Sequence, residues 1–373
     1  VKILLALVIG CLLSPVALAQ EQFPAVRRIV EILTKAEENQ HFSGATTVTV
    51  NSKTVFESSF GFASPRTGLA NSPETSFRIG GITRTFTAAA VLKLAGERKI
   101  DLNDPIEKYL GERNPKSLSQ ITIHHLLSES SGIPDYLPTL KTAWKMNFGG
   151  KKNPPSEGSE GLVRSILAGR STFEPGARSE FSHSNTMLLG KIIERVEKTS
   201  FSVWMRSWLT SLGLQHTGFN IDSEAADSTK ALGLDLYPQF DPRSWIRPPQ
   251  RFTPELRNSE WDLSASSMHS TTRDLAAWVN ALVADRALGT SEREKMFTRH
   301  IAKGNNQWSG YGWNIQTIGD VETYVQVGAA PGFYAILIHV PTKDLTAAFL
   351  SNYGETPAER QKILRDLLAA VAI

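Results

Sequence analysis

A single cysteine, Cys11, stands in the 373 residues of the chain, so no intramolecular disulfide can form and no cysteine cluster can hold a metal. Histidine is nearly as uninformative. There is no His-Glu-x-x-His pair, and His41, His216, His269, His300 and His339 are scattered along the sequence. His124 and His125 are adjacent, and in a strand they would point to opposite faces. Charge of one sign is also lacking. Lys and Arg number 40 against 37 Asp and Glu, and no basic run stands out, which gives no footing for nucleic acid. No glycine-rich phosphate loop follows a strand, and there is no internal repeat. Neither a cofactor nor a metal is implied.

Long apolar runs are missing too, with one exception. Residues 1–19 read VKILLALVIGCLLSPVALA, with Lys2 ahead of an apolar stretch and Ala17-Leu18-Ala19 as a small-x-small cleavage site. This is the pattern of a secretory signal peptide and predicts a secreted or periplasmic protein. The run is too short for a stable membrane span. Val8-Ile9-Gly10-Cys11 loosely resembles a lipoprotein box, which would leave a lipid on Cys11. The apolar residues continuing through Leu13 favour plain secretion. The remainder, 41% hydrophobic overall, is long enough to bury a large core in one domain or two interleaved lobes.

Chemistry is concentrated in three segments. Phe77 to Leu110 reads FRIGGITRTFTAAAVLKLAGERKIDLNDPIEKYL. A helix opening near Gly81 would place Arg84 one turn on and facing the same way. Phe173 to Gly190, FEPGARSEFSHSNTMLLG, has a Pro175-Gly176 turn followed by His183-Ser184-Asn185 at a helix start. Val325 to Phe333, VQVGAAPGF, leads into the apolar YAILIHVPTKDLTAAFLSN. There, Gly328 would let backbone approach closely.

In order and spacing these segments resemble the serine β-lactamase and penicillin-binding-protein family. So do the SGATTVTV-NSK-TVFESSFGFAS hairpin, the ITIHHLLSESSGIPDY stretch, Tyr311-Gly312-Trp313, and Ser270-Thr271 capping a helix near Arg273. The resemblance runs from about Glu31 to about Ile373 and implies an α/β fold, with an α+β sandwich lobe and a mostly helical lobe. The single domain of residues 20–373 would draw its sandwich lobe from about 20–100 and 266–373. The helical lobe would come from about 101–265. The sheet would carry the opening hairpin and the strands from Tyr311 to Leu350. Terminal helices around Ala25–Glu38 and Pro357–Val371 would flank it.

The resemblance also implies a nucleophilic serine and a lysine in Ser-x-x-Lys, but this chain has Gly81 and Arg84 there. Glycine carries no nucleophile, and a guanidinium does not act as a base in proteins. No register shift restores the motif. No lysine has a serine three residues before it, and Thr142-x-x-Lys145 falls in a loop-like stretch. His183 stands at the family's tyrosine, Asn185 at its asparagine, Gln326 at its cationic or histidine position, and Gly328 at its glycine. His183 is open to two readings, a polar helix-start residue or a base or acid working with water, Ser182, Ser184 or Thr83. Asn185 would still bind a ligand carbonyl. A helix N-terminus with Arg84 one turn on would suit a carboxylate or sulfate, unless Gly81 merely leaves space.

The leading expectation is therefore an exported, catalytically degenerate member of a serine-hydrolase fold. It would bind a small molecule, a peptide, a cell-wall fragment or an acyl compound, or else a protein partner. The alternatives are a hydrolase of esters or amides rewired around His183, and a structural role with a closed cleft. The Gly-, Pro- and Ser-rich stretch Phe148–Gly161 is expected to be a surface loop, and Trp204 and Trp208 to be core.

Overall fold

The structure, a computed structural model, describes residues 23–38, 42–64, 67–111, 119–136, 158–219, 230–231, 263–330, 332–353 and 357–373. In chain order the elements are α1 (Pro24–Glu38), β1 (Gly44–Val50), β2 (Lys53–Phe60), β3 (Phe62–Ser64), β4 (Leu69–Ala70) and β5 (Phe77–Arg78). A 3-10 turn, Gly80–Ile82, leads into α2 (Thr83–Gly96). Then come α3 (Glu107–Leu110), α4 (Ile123–Leu127), α5 (Gly158–Leu167), α6 (His183–Glu197), α7 (Phe201–Ser211), β6 (Gly218–Phe219), α8 (Leu263–Ser266) and β7 (Met268–Ser270). The chain continues through α9 (Thr272–Val283), α10 (Thr290–Met296), β8 (Ile301–Gly304), β9 (Gln307–Ser309), β10 (Asn314–Ile318), β11 (Val321–Ala330), β12 (Phe333–Val340), β13 (Leu345–Ser351) and α11 (Pro357–Ala372).

Both chain ends build the main sheet, whose eight antiparallel strands run β2-β1-β13-β12-β11-β10-β9-β8. Asn51 and Ser52 take left-handed φ of 48° and 60°, the geometry a two-residue hairpin turn needs between β1 and β2. β12 and β13 are buried along their whole length, because helices cover both faces. Alternation along β12 sends Tyr334, Ile336, Ile338 and Val340 towards α1 and α11. Phe333, Ala335 and Leu337 join the other core, with α2 and α9. The sheet is wider than expected. It extends past Tyr311 through β8 and β9, a short polar edge pair whose composition carries no apolar strand signal.

α2 is buried nearly all round, as its TRTFTAAAVLKLAG sequence dictates, and packs between the sheet side and the helices of residues 101–265. Trp278 of α9 stacks on Phe86 at 4.4 Å between ring centres and donates its indole N–H to Thr85 Oγ1 at 3.1 Å. Trp208 is buried and meets Trp278 edge-on, while Trp204 packs at the margin of the same core.

The structure places several of these residues in detail. His124 and His125 lie on the helix α4, not a strand, with ring centres 5.5 Å apart. His300 is not isolated. Its ring stacks on Tyr311 at 3.8 Å and lies 5.4 Å from that of His124. Of the Phe148–Gly161 stretch, the described residues 158–161 form the first turn of α5 rather than loop. Tyr311-Gly312-Trp313 is a bend entering β10, with Gly312 at φ 74°. Residues 1–19 and the Thr142-x-x-Lys145 stretch lie outside the described residues. No helix among those described is long and apolar enough to cross a membrane.

Candidate functional site

The 3-10 turn at the head of α2 lies directly against β11. A Cβ on Gly328 would come within 1.8 Å of Ile79 O, and one on Gly80, at φ 49°, within 2.6 Å of Ala329 N. Glycine at 328 and 80 is thus what lets strand and turn touch. Gly81 is equally confined. A Cβ there would meet Val327 O at 2.7 Å and Arg84 Nη2 at 3.2 Å. The space a side chain at 81 would need is already taken by the strand carbonyl and by Arg84.

Arg84 points back over the turn. Its Nε donates to Gly81 O (3.2 Å), Nη1 to Glu129 Oε1 (3.4 Å) and Nη2 to Gln326 Oε1 (3.4 Å), and its guanidinium lies 4.4 Å from the centre of the Phe181 ring. Burial pulls its pKa below the ordinary arginine value, and the charge of Glu129 opposes that shift. Glu129 is the hub. Its Oε2 accepts from Asn185 Nδ2 at 2.7 Å and from the Ser182 backbone N–H at 3.2 Å. Glu129 sits at φ 57°, a left-handed conformation that costs a non-glycine residue about 1–2 kcal/mol. It is held there by the Ser130 N–H on His125 O and the Glu180 N–H on Glu129 O, both at 2.8 Å. The structure thus brings Gly81, Arg84, Asn185, Gln326 and Gly328 together, with the protein's own carboxylate between Arg84 and Asn185.

His183 opens α6 behind its cap, Ser182, whose Oγ accepts from the Ser184 N–H. Its Nδ1 lies 3.0 Å from Asp135 Oδ2, and Phe181 stands edge-on at 4.7 Å. The candidate hydroxyls are committed elsewhere. Buried Ser184 Oγ donates to Pro134 O at 2.7 Å and accepts from the Tyr136 N–H. Thr83 Oγ1, fully buried, accepts from the Met268 N–H. Among the described residues, His183 makes no hydrogen bond to Ser182, Ser184 or Thr83.

Gln326 is likewise occupied. Its Nε2 donates to Gly312 O (2.9 Å), and its Oε1 accepts from Asn314 Nδ2 (3.2 Å). Asn314 Oδ1 in turn accepts from Lys303 Nζ at 2.6 Å. Lys303 is exposed as a residue, but burial at its ammonium end lowers its pKa. Arg84 adds to the shift and Glu129 opposes it. A surface cavity of about 550 Å³ lies elsewhere. It is lined by Arg98, Lys99, Asp101, His124 and Tyr311 among others, and by none of the five assembled residues. Among the described residues no group of three His, Cys, Asp or Glu side chains is placed to hold a metal.

Glu129, Asp135, Phe181, Lys303 and Asn314 were not singled out by sequence. Glu129 and Asp135 sit within ITIHHLLSESSGIPDY, where a lone carboxylate among serines was the available signal. Lys303 carried none, because only the sheet brings β8 to Asn314 and so to Gln326.

A family model described as Beta-lactamase matches residues 26–372. Protein flp of Staphylococcus aureus (strain N315) is 28% identical over 261 residues, covering 68% of this chain and 48% of that protein. The chain thus spans about half the length of the curated relatives it matches first. The octameric penicillin-binding protein homologue from Pyrococcus abyssi superposes with a TM-score of 0.76 at 24% identity, covering 92% of this chain and 77% of that one. The D-amino acid amidase from Ochrobactrum anthropi SV3, complexed with L-phenylalanine amide, gives 0.74 at 20% identity, covering 94% and 99%. At these identities the structural likenesses establish the fold alone.

Proposed function

The chain belongs to the β-lactamase family, and from that premise we propose that it is a binding member of the family. It would hold a peptide, cell-wall or acyl ligand in the cleft at the head of α2 without forming an acyl-enzyme. The observation that carries this reading is at Gly81. No hydroxyl is present, the Cβ position is blocked by Val327 O, and the neighbouring cation is a guanidinium engaged by Glu129. Acyl transfer needs a nucleophile and a base within hydrogen-bond reach of each other, and neither role is filled there. An export leader over residues 1–19, and so a secreted or periplasmic setting, belongs to the same proposal. Fold alone does not decide activity within such families.

A second reading has one observation in its favour. Asp135 Oδ2 at 3.0 Å from His183 Nδ1 would orient the imidazole to use Nε2 as a base towards water. Such an enzyme would hydrolyse an ester or amide without a covalent intermediate.

Intact mass after incubation with a penicillin, a fluorophosphonate and an activated ester separates these readings from ordinary family chemistry. No adduct is expected. A stoichiometric adduct mapped to one residue would overturn the binding reading. Turnover of an ester that vanishes in His183→Ala would replace it with the water-hydrolase reading.

A further inference from the structure

The cavity of about 550 Å³ lies at the far end of α2, roughly 20 Å along the helix from Gly81 at about 1.5 Å per residue. Its floor is fixed. Ile100 and Tyr311 are buried, and His124 Nδ1 meets Tyr311 OH at 2.7 Å. The His300 ring, whose Nε2 donates to Lys295 O at 2.8 Å, stacks on Tyr311. Backbone bonds hold the wall formed by residues 98–104. The Lys99 N–H donates to Leu94 O, the Asp104 N–H to Asp101 O and the His124 N–H to Leu102 O. A recess of this volume has the size of a small-molecule site.

Most of its charges are neutralised by neighbours. Lys108 pairs with Asp104 at 2.6 Å, Lys99 with Glu97 and Glu197 at 3.0 and 2.7 Å, and Lys295 faces Glu292 at 3.5 Å. Two charges remain. Arg98, at φ 58° just past the end of α2, makes no side-chain hydrogen bond or ion pair among the described residues. Asp101 has no ion-pair partner among them either, and its Oδ1 is oriented by accepting the Asn103 N–H at 2.9 Å. The two do not pair with each other, so a guanidinium and a carboxylate stand separately in one recess. His124 adds a neutral donor. Burial lowers its pKa and raises that of Tyr311, so near neutral pH the phenol keeps its proton and donates it to Nδ1. The imidazole hydrogen is then on Nε2, which has no partner among the described residues.

We propose that this cavity, independently of the site at the head of α2, binds a short peptide with both ends free. The peptide carboxylate would lie on Arg98, its ammonium on Asp101 and an amide carbonyl on His124 Nε2. A ligand with one charge would answer only one of the two unpaired residues. A single amino acid carries both charges on one carbon, whereas an extended dipeptide spans about 7 Å and can reach two groups that are too far apart to pair. Both ends then make charge-assisted hydrogen bonds.

Glycylglycine is the probe, titrated at neutral pH by ligand-observed nuclear magnetic resonance. Three compounds are compared with it. N-acetylglycylglycine lacks the ammonium, glycylglycinamide lacks the carboxylate, and 5-aminopentanoate keeps both charges at the same spacing without the amide. Glycylglycine is expected to bind about fivefold or more tightly than each, the worth of one hydrogen-bonded contact. Arg98→Gln should remove the preference over glycylglycinamide and keep that over N-acetylglycylglycine. Asp101→Asn should do the reverse. Both residues are exposed, and circular dichroism with melting temperature establishes that the variants are folded. No saturable binding of glycylglycine, equal affinity for any of the three comparison compounds, or a preference surviving in the variant aimed at it overturns the proposal.

Discussion

Glu129 Oε1 lies 3.4 Å from Arg84 Nη1 at the head of α2, and this pair decides what the site can offer. The Glu129 carboxylate faces Arg84 at the head of α2, and Asn185 donates to it as well. Arg84 and Asn185 are thus first of all partners of Glu129.

Removing one half of that pair should be worse than removing both. The side chains keep only 14% and 13% of their surface exposed, so Glu129→Ala leaves a nearly buried guanidinium without its counter-charge. Loss of about 3 kcal/mol is expected, at the low end for a buried pair because some solvent still reaches it. Urea unfolding of Glu129→Gln, Arg84→Met and the double variant checks this. The double variant should be more stable than either single variant.

Putting the nucleophile back should not restore acylation. Gly81→Ser forces a Cβ to within 2.7 Å of Val327 O, and with Arg84 beside it the hydroxyl has no base. Gly81→Ser should melt lower, with a loss of roughly 1–3 kcal/mol from overpacking. Intact mass should show no penicillin adduct at position 81. A stoichiometric adduct would mean that the turn relaxes away from β11 easily.

Contact between strand and turn gives a sharper contrast. Gly328→Ala places a Cβ 1.8 Å from Ile79 O, a backbone atom with nowhere to go, and should cost about 4 kcal/mol or prevent folding. Gly218→Ala has open space around its Cβ and should stay within about 0.5 kcal/mol. Similar melting temperatures for the two variants would contradict the packing described.

Stability should fall with acid in a defined window. Burial pushes His269 down to about 3 and His339 down to about 4, from the ordinary histidine value of 6.5. Above 6.5 both states of the protein leave these rings neutral, and neither ring makes stability depend on pH. Below 6.5 the unfolded chain takes up protons that the folded chain refuses, so stability drops until the folded pKa is reached. For His339, cross-strand from Thr346 and 3.0 Å from its hydroxyl, the drop approaches about 3 kcal/mol near pH 4. Unfolding free energy measured between pH 7 and 4 should slope less steeply in His339→Gln. An unchanged slope would count against a neutral buried ring.

Local chemistry alone determined much of this protein. Alternation in TTVTV, the nearly unbroken apolar run YAILIHV, the Asn51-Ser52 turn and the apolar Thr83–Gly96 segment fix strand, hairpin and buried helix, because each depends on neighbours a few residues away. That Gly81 carries no hydroxyl and Arg84 no exchangeable base is equally a property of the residues. What only the tertiary structure decided is how the altered positions are used. Glu129 reaches Arg84 across 45 residues and Asn185 across 56, and Lys303 reaches Asn314 only because β8 and β9 extend the sheet beyond β10. Such pairings depend on distances between elements remote in sequence, on which no local pattern bears. For the same reason the polar edge strands and the clustering of His300 with Tyr311 and His124 had no signature until the chain was folded.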